Sequence, residues 1–282
     1  MLNSILTYLS AGFIQRAFII GILIAVLSSI LSVYIVLKRL SLIGDGLAHT
    51  AYGGIAIGLA VGALQPRLVN INPYLIGGAI VVLGSIMITK TIRSARLSGD
   101  AAVAVFLELG LATGIFVTSV TLNYGFQLDA LLFGSILLVE WSQIYAAALV
   151  LVLAIGAIIV FYKQLLYTIF DEVQARASGI ETWKFDYLLA ILAGIAVVVS
   201  IPIVGILLIS ALLVLPALSS MQIARSFKQT ILMAPMFGLA SVVLGMFLSI
   251  IQPHAAPGGS IVLVGLALLL AAMVIKKVKS VF

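Results

Sequence analysis

Apolar residues along this chain come in runs of about twenty, too long for an ordinary core helix and without the alternation of a half-buried strand. The runs cover Ala17 to Leu37, Leu42 to Leu64, Tyr74 to Ile92, Ala101 to Leu122, Trp141 to Phe161, Phe185 to Val204, Gly205 to Ala224, Thr230 to Ile251 and Ser260 to Ile275. At about 1.5 Å of rise per residue each can span the ~30 Å hydrocarbon core of a bilayer. Backbone groups in hydrocarbon must be satisfied within their own segment, so the pattern predicts helices. The expected fold is all-α: a polytopic membrane protein of about nine transmembrane helices. The count is eight if Ser200-Ile-Pro-Ile-Val-Gly205 is a kink and not a tight turn between two helices. The amphipathic piece Leu128 to Gly134 is too short to cross and is expected to be a half-inserted helix or a loop. Ala17 to Leu37 is too long for a signal-peptide core and reads as an uncleaved helix.

Composition narrows this picture. With 63% hydrophobic and 9% charged residues, the segments between runs are too short for a soluble domain, so residues 1–282 read as a single transmembrane domain. Its longest segment between spans, about residues 163–184, faces the cytoplasm, and whatever energises the protein is on another chain. The charge of +6 is explained by its placement. With the N-terminus outside and the C-terminus cytoplasmic, the cytoplasmic segments hold Lys38, Arg39, Lys90, Arg93, Arg96, Lys163, Arg176, Lys184, Arg225, Lys228, Lys276, Lys277 and Lys279, and the outer ones only Arg16 and Arg67. That asymmetry follows the positive-inside rule and calls for no nucleic acid. Cysteine is absent, so a metal would have to be held by carboxylate, imidazole, hydroxyl, carbonyl or thioether groups.

Ionisable groups inside the membrane cost at least about 2.5 kcal/mol each and mark function by default. Asp45 and His49, in Ser41-Leu-Ile-Gly-Asp-Gly-Leu-Ala-His49, are four residues apart and so project from one helix face, roughly 6 Å apart along the axis. His49 lies ten residues beyond Arg39, about 15 Å along a helix and near mid-membrane. The pair can share a cation, or make a helix-packing hydrogen bond. On the neighbouring ridge Gly46, Thr50, Gly54, Gly58 and Gly62 recur every four positions, a surface for close packing. Glu108, about 12 Å in from Asp100 along its span, is the other deep carboxylate. It can be a third ligand, a neutral acid, or the partner of a neighbouring hydroxyl.

Between the fifth and sixth spans, Asp171 and Glu172 favour a helix start, Val173 to Ala177 continue it, and Gly179 can end it in the left-handed conformation. This short helix is a docking knob or a solvated connector. Pro216 removes a backbone hydrogen bond and is expected to kink its helix near Leu212 to Leu215, where a gate or a static bend would sit. His254 reads as a surface residue on the outer side.

Four motifs in order resemble the permease subunit of the bacterial metal-uptake ABC transporters for zinc, manganese or iron. They are Ser41 to His49, Asp171-Glu-Val-Gln-Ala-Arg-Ala-Ser-Gly179, Ala211-Leu-Leu-Val-Leu-Pro-Ala217 and Pro257-Gly-Gly-Ser-Ile-Val-Leu263. The resemblance implies a homodimer in the bacterial cytoplasmic (inner) membrane, cytoplasmic ATPase subunits that bind ATP, and an extracytoplasmic metal-binding protein. It assigns Asp45 and His49 to the cation site, and Asp171 to Gly179 to a coupling helix whose small residues Ala175 and Gly179 meet the ATPase. It further implies that no cofactor is permanently bound and that the divalent cation, Zn²⁺ or Mn²⁺, is cargo. Gly-Asp-x-Leu-Ala-His looks more like the zinc variants. Two positions depart from the family: Gly46, usually Thr or Ala, which is expected to loosen the helix near the site, and Glu108, usually small and polar or His. Two other transport classes stay open, a proton- or ion-coupled secondary carrier using Asp45, His49 and Glu108 as a relay, and an ABC permease for a metal chelate or vitamin.

Overall fold

The computed structural model describes residues 12–64, 72–94, 98–121, 139–252 and 255–281. Among them are eleven helices and no strand: α1 (Gly12–Leu37), α2 (Ile43–Leu64), α3 (Pro73–Ser94), α4 (Gly99–Thr121), α5 (Trp141–Val160), α6 (Tyr162–Phe170), α7 (Glu172–Ala177), α8 (Thr182–Leu212), α9 (Leu215–Ile223), α10 (Phe227–Ile251) and α11 (Pro257–Val281). The protein is an all-α, polytopic membrane protein. The amphipathic piece at 128–134 and His254 lie outside the described residues.

Eight stretches among the described residues are long and apolar enough to cross a membrane, the lower of the two expected counts. The difference lies in Thr182–Ile223, counted once although it holds 42 residues. A straight helix of that length would measure about 63 Å, roughly twice the hydrocarbon thickness. It is interrupted twice. Gly205 has φ 77° and ψ 168°, a conformation open to glycine and strained for other residues. Leu213 and Val214 then form a turn before α9, with Pro216 in the first turn of the new helix. The bend expected at Pro216 is thus a full break, because the proline ring suits a helix start and not a helix interior.

The chain divides into two compact units. One comprises residues 1–36, 132–156 and 199–282, the other residues 37–131 and 157–198. In the first, α1 and α10 run antiparallel: Phe18 stacks on Phe247 at 5.5 Å, a Cβ on Gly238 would meet Ser29 and Ala25, and Tyr34 meets Phe227 edge-on at 5.8 Å. Gly245 against Ile261 sets α11 antiparallel to α10, and Gly265 against Leu215 with Gln222 beside Lys276 sets α9 parallel to α11.

The second unit is built around α2. A Cβ on Gly84 would lie 2.8 Å from Thr50 Cγ2, one on Gly54 3.0 Å from the Gly77 Cα, and one on Gly58 2.8 Å from the Pro73 carbonyl oxygen. These contacts run in opposite directions along α2 and α3, so Thr50, Gly54 and Gly58 of the glycine ridge form the expected packing seam, whereas Gly46 meets Val103 and Gly62 has nothing within 4 Å. On its other side α2 runs parallel to α4: a Cβ on Gly53 would meet the Gly110 oxygen at 2.6 Å, and Tyr52 fills the space beside Gly114. The start of α8 lies antiparallel along α3, with Gly194 against Val81 and Gly78 against Val198.

Candidate metal centre

Asp45 and His49 occupy the first turns of α2 and both are half-buried. The α2–α4 seam holds this part of the helix. At Gly46 α4 comes close, since a Cβ there would lie 2.6 Å from Val103 Cγ1. The loosening expected of Gly46 is therefore corrected: lacking a side chain, it lets a second helix grip the turn between Asp45 and His49. Gly110 abuts the backbone of His49 itself, with 2.4 Å from its would-be Cβ to the His49 oxygen. Sequence reasoning missed Gly53, Gly110 and Gly114; the four-residue spacing of Gly110 and Gly114 was the available signal.

The Nδ1 atom of His49 is buried and has no hydrogen-bond partner. A hydrogen bond from this atom to Asp45 is thus not made, and a buried imidazole nitrogen left unpaired is costly unless something else engages it. Asp45 and Glu108 both act electrostatically on the ring. Glu108, on α4 two residues before Gly110, is exposed on the isolated chain. Among the described residues no three His, Asp or Glu side chains come together as a metal cage. One chain thus places a carboxylate and an imidazole on one helix face, with the charge of a second carboxylate, Glu108, acting on the imidazole.

The short segment after α5 forms as its local signals dictate. The Asp171 carboxylate accepts from the Gln174 N–H and caps α7, and Gly179 ends the segment with φ 83°. Glu172 lies outside the spans, and burial works to raise its pKa. The hydrogen bond from Arg176, the charges of Lys38 and Arg176 and the Thr182 hydroxyl outweigh that and hold the carboxyl below the usual glutamate range. Ala175 is fully buried within the chain, and its small side chain seats α7 on its own unit. The exposed apolar side chains here are Tyr167, Phe170 and Val173, at 52%, 64% and 81% exposure.

Beside α7 lies a cavity of about 400 Å³, lined among others by Lys38, Thr89, Arg93, Glu172, Arg176 and Asp186. Lys38 Nζ is 2.6 Å from Asp186 Oδ1, Arg93 pairs with Asp186, and the same Arg93 nitrogen lies 3.7 Å from Glu172 Oε1. Sequence reading counted Lys38, Arg93 and Arg176 only as topology charges and passed over Asp186. Their meeting at one cavity puts the α1–α2 junction, the end of α3 and the α6–α8 segment at the same end of this unit.

These features define a polytopic helical membrane protein with ionisable groups on its second helix. Residues 10–276 match the ABC 3 transport family, and the chain belongs to it. It is similar to the manganese import system permease protein ScaB of Streptococcus gordonii, 34% identical over 253 residues, covering 89% of this chain and 87% of that protein. It is also similar to the high-affinity zinc uptake system membrane protein ZnuB of Haemophilus influenzae, 26% identical over 250 residues, covering 88% of this chain and 91% of that one. Among solved structures, PsaBC from Streptococcus pneumoniae in complex with Fab contains a chain that matches with a TM-score of 0.82 at 28% identity, covering 96% of this chain and 95% of that chain.

Proposed function

We propose that this chain is the transmembrane subunit of an ATP-driven importer of a divalent transition-metal ion, with Asp45 and His49 as ligands in mid-membrane. The observation that carries the reading is the buried, unpartnered Nδ1 of His49 on the same helix face as Asp45. Two copies of the chain about a two-fold axis would supply two carboxylates and two imidazoles, enough for a four-coordinate ion. Glu108 stands behind this pair as an electrostatic neighbour.

The relatives named for manganese and for zinc both support a divalent metal as cargo. The Gly-Asp-x-Leu-Ala-His motif leans to zinc. Against that, the chain is more similar to the protein named for manganese than to the one named for zinc, so manganese is taken first and zinc second. The basic residues gathered at the α7 end favour that end as cytoplasmic. An N-terminus outside and a C-terminus inside need an odd number of crossings, which Thr182–Ile223 supplies by crossing twice about Gly205. The ATPase subunits would dock on the α6–α7 segment through Phe170 and Val173, and an extracytoplasmic binding protein would deliver the ion.

The test is uptake of radiolabelled manganese and zinc by cells carrying His49→Ala, with membrane expression verified. Loss of uptake by more than about tenfold is expected, since removing even an outer-shell partner of a metal ligand costs about 10–100-fold. Unimpaired uptake of both ions would sink the site assignment, and the wild-type ratio decides the metal. Transport that persists without any ATPase partner would point to a secondary carrier.

A further inference from the structure

We infer that Arg93 is a positioning residue that ties the α7 docking segment to the cation-bearing helix α2. The inference rests on the transport reading above. Arg93 is the penultimate residue of α3, and it alone in the cluster reaches both carboxylates, pairing with Asp186 at the start of α8 and lying 3.7 Å from Glu172 on α7. Its side chain is 26% exposed and that of Asp186 17%, so this half of the link is partly shielded from the screening that makes surface pairs weak, while Glu172, at 38%, is the more open end. Lys38 completes it by holding the other Asp186 oxygen at 2.6 Å.

What Arg93 is attached to gives the link its reach. From Arg93, α3 runs back nine residues to Gly84, roughly 13 Å along the axis. There it meets Thr50, the residue after His49, with no side chain between Gly84 and the Thr50 methyl. Gly77 and Pro73 continue the same spacer-free contact along Gly54 and Gly58. Helices packed backbone to backbone cannot slide past one another without collision, because close-packed interiors are not continuously deformable. A push on α7 is therefore delivered through Glu172 and Arg93 to α3, and by α3 to the turn of α2 that carries His49. Without Arg93 the docking segment still folds, since its caps are local, but its charged tie to α3 is gone.

The test uses the permease with its ATPase partner in proteoliposomes, measuring metal uptake and ATP hydrolysis together. Arg93→Gln is expected to lower manganese and zinc uptake at least about tenfold while hydrolysis stays within about twofold of wild type, a loss of coupling and not of assembly. Arg93→Lys, which keeps the charge without the forked reach, is expected to recover part of the uptake. The chain has no cysteine, so an Arg93→Cys/Glu172→Cys pair can be bridged by a bifunctional thiol reagent. Uptake is expected to be low with the thiols free and restored when they are bridged, which a variant that merely fails to fold cannot show. Unchanged uptake in Arg93→Gln, a parallel fall of uptake and hydrolysis, or no recovery on bridging overturns the inference. Wild-type vesicles that hydrolyse ATP yet take up neither ion overturn the transport reading, and this inference with it.

Discussion

A methyl group on residue 110 would lie 2.4 Å from the backbone oxygen of His49 and 2.6 Å from the Thr50 nitrogen, and neither backbone atom can turn away as a side chain can. Gly110→Ala is expected to destabilise the protein by about 1–3 kcal/mol through overpacking, read as a lower melting temperature of the purified protein. Gly62→Ala and Gly156→Ala, with nothing within 4 Å of the new methyl, are expected to leave it unchanged. Glu172 makes a second residue-level prediction. Its carboxyl is held below its ordinary value in the folded protein, so its contribution is complete above the ordinary glutamate value of about 4.3 and is lost as the pH falls through the depressed one. Amide exchange in α7, corrected for intrinsic rate, is expected to speed up in wild type across that acid window. Glu172→Gln is expected to remove the part of the acceleration that Glu172 titration causes.

At the scale of elements, α7 shows what a sequence can express locally. Its N-cap, first-turn acid and left-handed terminator are consecutive in the chain, so its limits were legible to within a residue. Asp171→Ala and Gly179→Ala are each expected to cost about 1 kcal/mol, seen as faster exchange over Glu172 to Ser178 and reduced metal uptake with unchanged membrane insertion. The membrane helices were legible for an equally simple reason: each is an unbroken apolar run, and α2 begins and ends within one residue of the expected span. Helix α6 was missed because Tyr162 to Phe170 is neither apolar enough to span nor capped by a side chain. The Asp45–His49 pair could be read because helical geometry alone places it. Arg93 and Asp186 could not, since their pairing joins positions 93 residues apart, and only the antiparallel run of α3 and α8 brings them to one end. The burial of Ala175 was hidden likewise, because a small residue in a short helix reads the same whether it faces its own chain or another.

For the whole molecule, the open quantity is the path of the chain through the bilayer. Single cysteines are clean reporters in a chain that has none. Asn72→Cys is expected to react with an impermeant maleimide in intact cells, whereas Ser226→Cys and Lys276→Cys react only after permeabilisation. Labelling of Lys276→Cys from outside would overturn the double crossing of Thr182–Ile223 and with it the cytoplasmic C-terminus. Within the unit built on α2, the seams to α3 and α4 have one more consequence. Turning α2 about its own axis would swing Thr50, Tyr52 or Ile55 into places where a hydrogen atom is all that fits. The helix is thereby denied twist as a degree of freedom. In the proposed transport cycle Asp45 and His49 would change the side they open to by tilting together with both neighbours, as a three-helix slab and not a single rotating rod.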